Sequence, residues 1–308
     1  MGGGEAARRR AGCRSKPIEM MIPDPFRRLR LLQGVLRCGK IVTLAAFALS
    51  LVSARAQTAQ QIIQQVAEAE RAANRNDHSS WIFLDHSVKP KEQILQWTAT
   101  TPQGNVQRVL VKNGSQQPES EQQAGIQKFL GDKRAQKKQV DAKAHELKQI
   151  DQILRLLPEG FIWTVTKTTP EETTLHFVPN PSFKPPSREA HVLTAATGDL
   201  VADNEQHRIR RANGHLMHDV TFGGGLLGRI KQGGSFAIEQ KPVAPSLWQL
   251  TLIRVHLDGK VLLFKSLNFQ EDDERSRFAQ QPGSSTLDQA AQAVMKQPAN
   301  PQQQSASQ

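Results

Sequence analysis

The stretch from Val220 to Phe269 constrains the fold most, because it alternates four short β-rich runs with turn residues. Its clearest join is Asp258-Gly259, which separates the run LTLIRVHL from the run KVLLFKSLNF. A type I′ turn needs positive φ at both central positions, and Asp-Gly is a favoured pair for that conformation. The dipeptide therefore predicts a two-residue hairpin between antiparallel strands.

Similar runs precede this stretch. From Ser80 three of them, WIFLDHSV, EQILQWTAT and NVQRVLVKNGS, are separated by short turn segments. Connections this short favour an antiparallel meander over βαβ units, which need a long crossover. Further strands are predicted at Phe161–Thr168, Thr173–Pro179, Ala190–Ala196, Asp199–Asp203, His207–Ala212 and His215–Phe222. Together the runs predict a mainly antiparallel sheet.

One helical pattern precedes the predicted strands and a second lies among them. Residues Thr58–Asn74 collect their apolar side chains on one face, so this amphipathic helix needs a core to lie on. Residues 118–157 form a long polar helical insertion, either two helices or one helix with a frayed start. Pro158 is expected to end it.

The helical insertion carries the sharpest basic cluster of the chain after residue 56. It consists of Lys133, Arg134, Lys137 and Lys138. A solvated helix face is one interpretation, and a surface for an anionic partner, lipid headgroups included, is the other.

The N-terminal residues have the pattern of an export signal. A Lys/Arg-rich region precedes the 12-residue apolar run Ile41–Val52, and an Ala-x-Ala site ends at Ala56. That run is too short for a transmembrane helix, which needs about 18 residues or more. We therefore expect residues 1–56 to be a signal peptide with a long basic n-region, and the mature protein to be periplasmic or secreted. Candidate start residues are Met1, Met20 and Met21.

The formal net charge of +11 at pH 7 would suggest a nucleic-acid partner if it were spread over the folded domain. Residues 1–56 instead hold 11 of the 40 Lys and Arg residues and 3 of the 29 Asp and Glu residues, so the remainder has a net charge of +3. No nucleic-acid partner is expected.

No motif in the sequence has a catalytic or metal-binding signature. Both cysteines, Cys13 and Cys38, precede the cleavage site, so the mature chain has no disulfide and no thiolate metal site. The glycine-rich segment Gly223–Ile230 lacks the Lys-Ser/Thr pair of a phosphate loop. His215 and His218 are three apart on a predicted strand and so point to opposite faces. We predict a non-enzymatic protein without metal or cofactor.

Apolar side chains on the predicted strands remain as candidate ligand contacts. In the strand Trp248–Leu257 the apolar side changes partway along. This pattern indicates either a bulge between two packed cores or a curved sheet whose concave side holds an apolar guest. The candidate cavity residues are Trp81, Phe83, Trp97, Trp163, Phe177, Phe222, Phe236, Trp248, Leu250, Leu252 and Phe264.

The order of elements resembles the LolA/LolB/RseB-like lipoprotein-carrier superfamily, and in particular bacterial secreted proteins described as outer-membrane lipoprotein-sorting-like. The segments that carry the resemblance are Val109–Ser115, Leu154–Phe161, His176–Glu189, Thr197–Leu216 and Val220–Leu250. It implies an α+β domain at residues 57–270. That domain would be an unclosed, strongly curved antiparallel β half-barrel, with helices on its concave side and an apolar cavity for acyl chains. The insertion at 118–157 is longer than expected of the lipoprotein carrier itself.

Residues 271–308 differ in composition from the rest. They are rich in Gln, Ser, Ala and Pro and poor in apolar residues, so the ordering entropy is not offset by burial. We predict a disordered tail there, with a fragile helix near Thr286–Met295.

The function predicted from these features is that of an exported, non-enzymatic binding protein. It would hold an acyl chain, lipid or lipoprotein in an apolar half-barrel cavity and touch membranes only transiently. The alternative is an envelope sensor or interaction protein that binds a partner protein through its sheet edge or basic helix. A hydrolase is a third interpretation, although none of its usual motifs is present.

Overall fold

A 13-stranded antiparallel sheet organises the computed structural model, which describes residues 57–187, 189–222, 228–261 and 265–301. The strands are β1 (Ser80–Lys89), β2 (Glu92–Thr101), β3 (Gly104–Lys112), β4 (Ser115–Gln116), β5 (Phe161–Thr168), β6 (Glu172–Pro179), β7 (Ala196–Asp203), β8 (Ile209–Leu216), β9 (Val220–Phe222), β10 (Gly228–Ile230), β11 (Ser235–Ala244), β12 (Leu247–Val261) and β13 (Lys265–Gln281). The α-helices of the described residues are α1 (Ala59–Asn76), α2 (Glu119–Gly131), α3 (Lys133–Gly160) and α4 (Leu287–Met295).

The strand order is β4-β3-β2-β1-β13-β12-β11-β8-β7-β6-β5, and β9 and β10 form a small ribbon attached to β12. The last strand, β13, pairs with the first, β1, and thereby joins two meanders into one sheet. The outermost strands β4 and β5 are not paired with each other, so the sheet is unclosed, and it is curved. The predicted α+β class with an open, curved antiparallel sheet is confirmed.

Two hydrophobic cores lie on opposite faces of this sheet. The first core packs α1 and the end of α3 against β5–β8, and Ile63, Val66 and Leu175 are fully buried in it. The second core packs α2 and α4 against β1–β3 around Trp97 and Val294. Because side chains alternate along each strand, the pairing register assigns the two clusters to different faces. We call these faces the α1 face and the α4 face.

The helices form where the sequence predicts them, with one boundary shifted. Thr58 and Gln61 make a capping box at the start of α1. The insertion is two helices, and Asp132 caps the second by accepting the N–H groups of Arg134 and Ala135. The expectation that Pro158 ends the insertion is wrong, since α3 continues to Gly160.

The predicted Asp258-Gly259 hairpin is wrong. Both residues lie inside β12, and the connection to β13 falls at residues 262–264, outside the described residues. The glycine has another role, because a Cβ at this position would lie 2.2 Å from the carbonyl oxygen of Arg229. Gly259 therefore lets the β10 backbone approach β12 closely, which is a common reason for glycine within a strand.

The change of apolar side along β12 has a physical explanation. The register with β11 shifts by one residue at Thr251, which forms the predicted bulge. Trp248 and Leu250 before the bulge therefore share a face with Ile253 and Val255 after it. The bulge brings both halves of the strand to the α1 face instead of dividing them between two cores.

Two smaller strand predictions also need correction. Ala190–Ala196 is mostly a 3₁₀ helix over Glu189–Thr194, which leads into β7. The predicted strands His207–Ala212 and His215–Phe222 are not separated at residues 213–214, because both of these residues lie inside β8. Gly214 fits there because the Phe236 ring packs where a Cβ would stand, at 2.8 Å.

The predicted disorder of residues 271–308 is wrong for the part that the structure describes. Residues 271–281 complete β13, and α4 buries Ala290, Ala291 and Val294 against the second core. The domain therefore extends to residue 301, beyond the predicted end at residue 270. Residues 302–308 and the predicted signal peptide at 1–56 lie outside the described residues.

Candidate functional site

Three open cavities adjoin along the α4 face. The first has a volume of about 420 Å³ and shares Leu84 and His86 with the second, of about 620 Å³. The second shares Arg254 with the third, of about 470 Å³. Since each cavity has lining residues in common with the next, they form one elongated depression, which we call the face groove.

The middle of the face groove lies in a split between two strands. β12 pairs with β13 only from Leu252 onward, opposite Glu274. Before that point β12 pairs with β11, whereas β13 pairs with β1. The two longest strands of the described sheet therefore diverge, and Phe278 and Thr251 line opposite walls of the opening between them.

One end of the face groove is lined mostly by apolar side chains, and Arg277 also lines it. Leu84, Leu95 and Val111 line the first cavity from three neighbouring strands, and all three are half-buried. His86 and Gln93 form a polar contact at the rim, with 2.9 Å between the His86 Nε2 and Gln93 Nε2 atoms. Partly exposed aliphatic side chains in a concave surface are the usual lining of a small-molecule site.

Charged side chains line the middle of the face groove and continue into its other end. Arg254 donates a hydrogen bond to Glu274 at 2.7 Å, and the neighbouring His256 contacts Asp272 at 2.9 Å. Further along, the His176 Nδ1 atom lies 2.9 Å from Asp199. Most of these side chains are around half exposed, so they can exchange their present partners for polar groups of a ligand.

A buried polar cluster lies on the opposite face of the same strands. Asp85 accepts a hydrogen bond from the Gln96 amide at 3.0 Å, and the Arg275 Nε atom lies 3.5 Å from the other Asp85 oxygen. Burial raises the pKa of the Asp85 carboxyl group, although Gln96 and Arg275 oppose the shift. Arg275 also lies over the Phe83 ring at 5.5 Å and lines the middle cavity, so it connects this cluster to the face groove.

Most of the predicted cavity residues of β5–β12 lie in or against the first core instead of lining one cavity. Trp163 and Phe177 stack with Phe161, with ring centroids 4.8 to 5.7 Å apart. Phe222 and Phe236 pack against that core from its edge, and Phe236 also lines the third cavity.

The predicted residues of β12 have different surroundings. Trp248 is buried, with the guanidinium groups of Arg208 and Arg210 at 5.8 and 5.7 Å from its ring centroid, and it donates a hydrogen bond to Gln206 at 2.9 Å. Leu250 is half-buried, and Leu252 lines the middle cavity of the face groove. Phe264 lies outside the described residues.

The remaining predicted cavity residues lie on β1 and β2. Trp81 and Phe83 pack on Phe278, whose ring centroid is 6.3 and 5.4 Å from theirs. Trp97 is on the other face, in the second core, and donates a hydrogen bond to the Pro298 carbonyl. The structure thus brings Trp81 and Phe83 together near the groove wall and separates Trp97 from them.

The predicted basic cluster lies on the first turns of α3, and all four side chains are exposed. Lys137 forms a salt bridge with Asp141 at 3.0 Å, and Lys133 donates to Gln136 at 3.3 Å. None of the four lines any of the three cavities of the face groove.

Sequence reasoning missed the polar side chains of the groove. It treated the histidines as scattered, but the pairing register gathers His86, His176 and His256 on one face. It also assigned Arg275 and Phe278 to a disordered tail. The alternation of polar and apolar residues within each strand was available as a signal, but the order and register of the strands were not.

The described residues lack two features that would suggest other classes of protein. Among them, no helix combines the length and the apolar character needed to cross a membrane. Within the same residues, no three His, Cys, Asp or Glu side chains come together in a way that could hold a metal ion.

Comparisons with known proteins give one structural similarity. No protein-family profile matches the chain, and no curated protein matches it. The crystal structure of a DUF1329 family protein from Desulfovibrio piger is similar, with 10% sequence identity and a TM-score of 0.27. The match covers 78% of this chain and 100% of that one. A TM-score this low does not define a shared fold, so membership of the lipoprotein-carrier superfamily stays a prediction.

Proposed function

We propose that this protein is an exported, non-enzymatic binding protein that holds the acyl chain of an amphipathic lipid in the face groove. The observation that carries this proposal is the amphipathic lining of the groove. It combines the aliphatic side chains of Leu84, Leu95 and Val111 in the first cavity with the charged side chains of Arg254 and His256 in the middle and third cavities.

The dimensions of the groove suit such a ligand. Its cavities have volumes of about 420, 620 and 470 Å³, each within the ordinary range of about 300 to 1,000 Å³ for ligand pockets. An open groove accepts a flexible chain from the side, so that the backbone does not have to move apart. Each buried methylene contributes about 0.8 kcal/mol, so affinity should rise about fourfold per added CH₂ until the groove is filled.

The test begins with the whole chain expressed in bacteria. Lipids that co-purify with the protein are identified by mass spectrometry, and a fluorescent fatty acid is then titrated into delipidated protein. Saturable binding that strengthens with chain length supports the proposal. Absence of both co-purified lipid and saturable probe binding would remove it.

Groove variants give the sharper test. Leu84→Arg and Leu252→Arg introduce a charged side chain into the first and middle cavities and should each weaken probe binding at least tenfold. Ile162→Arg is the matched control, because Ile162 is 50% exposed on β5 and lines none of the three cavities. Equal loss in the control would show that the probe binds elsewhere.

The free edge of the sheet favours a second function, that of an interaction protein. β5 ends the sheet, and it exposes Ile162 and Val165. An unpaired strand with exposed apolar side chains can accept a strand from a partner protein. Val165 lies at a position of β5 whose N–H points away from β6, so Val165→Pro would remove a backbone donor at that edge and should abolish capture of an envelope partner while leaving fatty-acid binding unchanged.

A further inference from the structure

The middle of α3 is largely exposed. Every residue from Val140 to Ile150 is exposed, although the helix is anchored at both ends by buried Gln136 and Leu154. These roughly three turns therefore contain no buried residue, and Arg71 of α1 contacts the helix directly after them, at Asp151.

An apolar stripe runs along this exposed segment. At 100° per residue, Val140, Ala144, Leu147 and Ile150 fall within one sector of the helix. The three larger side chains are 39%, 37% and 36% exposed in that order, and Ile153 beside them is 44% exposed. We call these residues the α3 stripe. A stripe of this kind normally packs on a core, and here the described residues leave more than a third of each larger side chain exposed.

Basic side chains border the α3 stripe. Lys137 and Lys148 flank it on one side, and Lys143 projects between Leu147 and Ile150. The whole of α3 carries seven Lys or Arg residues against four Asp or Glu. Two of the acidic residues already have basic partners. Asp141 pairs with Lys137, and hydrogen bonds from Arg71 and Arg155 hold the pKa of Asp151 below its usual value. The free charge along the helix is therefore positive.

We propose that the α3 stripe is a docking surface for an anionic lipid bilayer. An apolar helix face enters the boundary between headgroups and acyl chains, while lysines at its margins reach the anionic headgroups. The positive charge argues against a second copy as the occupant, because two α3 helices side by side would bring lysine clusters together. This surface is separate from the face groove, and either can exist without the other.

Vesicle binding tests this directly. The purified whole chain is sedimented with vesicles of phosphatidylcholine alone and of phosphatidylcholine with phosphatidylglycerol. We expect binding only to the second, weakening as salt is raised because the attraction is electrostatic. Lys143→Glu with Lys148→Glu should reduce binding about fivefold per charge removed, and further through repulsion. Leu147→Glu with Ile150→Glu should reduce it about tenfold or more.

Control variants distinguish this surface from the others. All four α3 positions are exposed, so their variants should keep the wild-type circular dichroism and unfolding midpoint. Ile162→Glu and Lys91→Glu alter exposed positions outside α3 and should bind vesicles as the wild type does. Leu84→Arg should retain vesicle binding while losing the fatty-acid probe, so failure of the two proposals can be told apart.

Three outcomes would overturn the proposal. Equal binding to both kinds of vesicle would remove the electrostatic part, and vesicle binding unchanged by the α3 variants would locate the contact elsewhere. A dimer that dissociates on Leu147→Glu with Ile150→Glu, without any vesicle binding, would show that the stripe is an interface between two copies.

Discussion

The two faces of the sheet use the same strands and reach different surroundings. Along β12, Ile253 and Val255 point to the α1 face, where apolar side chains pack with α1 and α3. Arg254 and His256 alternate with them and point into the face groove. Among the described residues, helices cover the α4 face over β1–β3. Most of the large aromatic side chains therefore pack in the cores. A binding site on this sheet is formed largely by the residues that alternate with them along the strands.

Removal of an ion pair should give the largest difference in stability between the two faces. On the α1 face the Arg208 guanidinium makes two hydrogen bonds to Glu70, at 2.9 and 3.1 Å, and Glu70 also accepts the Ile209 N–H. Glu70→Leu leaves a buried arginine without its partner and should lower the free energy of unfolding by about 4 kcal/mol.

The matched change on the other face is Glu274→Leu, which removes the partner of half-exposed Arg254. It should cost less than about 1 kcal/mol, because water replaces the carboxylate. Urea unfolding of both variants measures the difference. Similar costs would mean that the α4 face is as closed as the α1 face.

Apolar truncation should give the next largest contrast. Leu175 is fully buried in the first core, so Leu175→Ala should lower the free energy of unfolding by about 3 kcal/mol. Leu252 lines the groove and is only partly buried, and Leu252→Ala should cost about 1 kcal/mol. Equal costs at the two positions would indicate that the groove collapses into a packed core.

The second core depends on one buried arginine. Arg108 donates to Gln122 and to the carbonyl groups of Val294, Met295 and Gln297, so it holds the C-terminal end of α4 on β3. Burial lowers the pKa of this guanidinium group. Arg108→Met leaves those acceptors without a donor and should cost about 2 kcal/mol.

The location of that loss can be measured separately. Hydrogen exchange should accelerate in residues 287–295 of Arg108→Met and stay unchanged in α1. Arg211→Met is the control, since Arg211 pairs with Glu172 at the surface and should cost under 1 kcal/mol. Uniformly faster exchange in both helices would contradict the separation of the two cores.

Arg108 also shows where sequence reasoning stops. The fold class, α1 and most strands can be predicted from the sequence, because apolar residues recur about every 3.6 positions in a helix and every second position in a strand. That α4 is an ordered helix cannot be predicted in this way. Its apolar face, formed by Ala290, Ala291 and Val294, is too small to hold a helix alone. The helix is fixed by Arg108, which lies 186 residues away from Val294 in the chain.

The groove residues could not be predicted from the sequence for the same reason. His176 and His256 lie 80 positions apart, and only the strand order β12-β11-β8-β7-β6 brings them to one face. Asp258-Gly259 failed as a turn because a glycine that lets β10 approach is indistinguishable in sequence from one that allows positive φ. Local pattern predicts elements, whereas their pairing is a property of the whole sheet.

The smallest expected effect concerns the buried cluster behind the groove wall. Asp85 has a raised pKa in the folded protein because it is buried, so the folded state binds its proton more tightly than the unfolded state does. The free energy of unfolding should therefore fall as pH rises from about 4, the ordinary value for this group, through the folded-state pKa. Asp85→Asn removes the titrating carboxyl group, so it should flatten the pH dependence of the free energy of unfolding over this range. The variant should be more stable than the wild type at neutral pH. Urea titrations of both proteins across that range measure the slopes. A wild-type stability that rises over the same interval would mean that Arg275, rather than burial, decides the charge of Asp85.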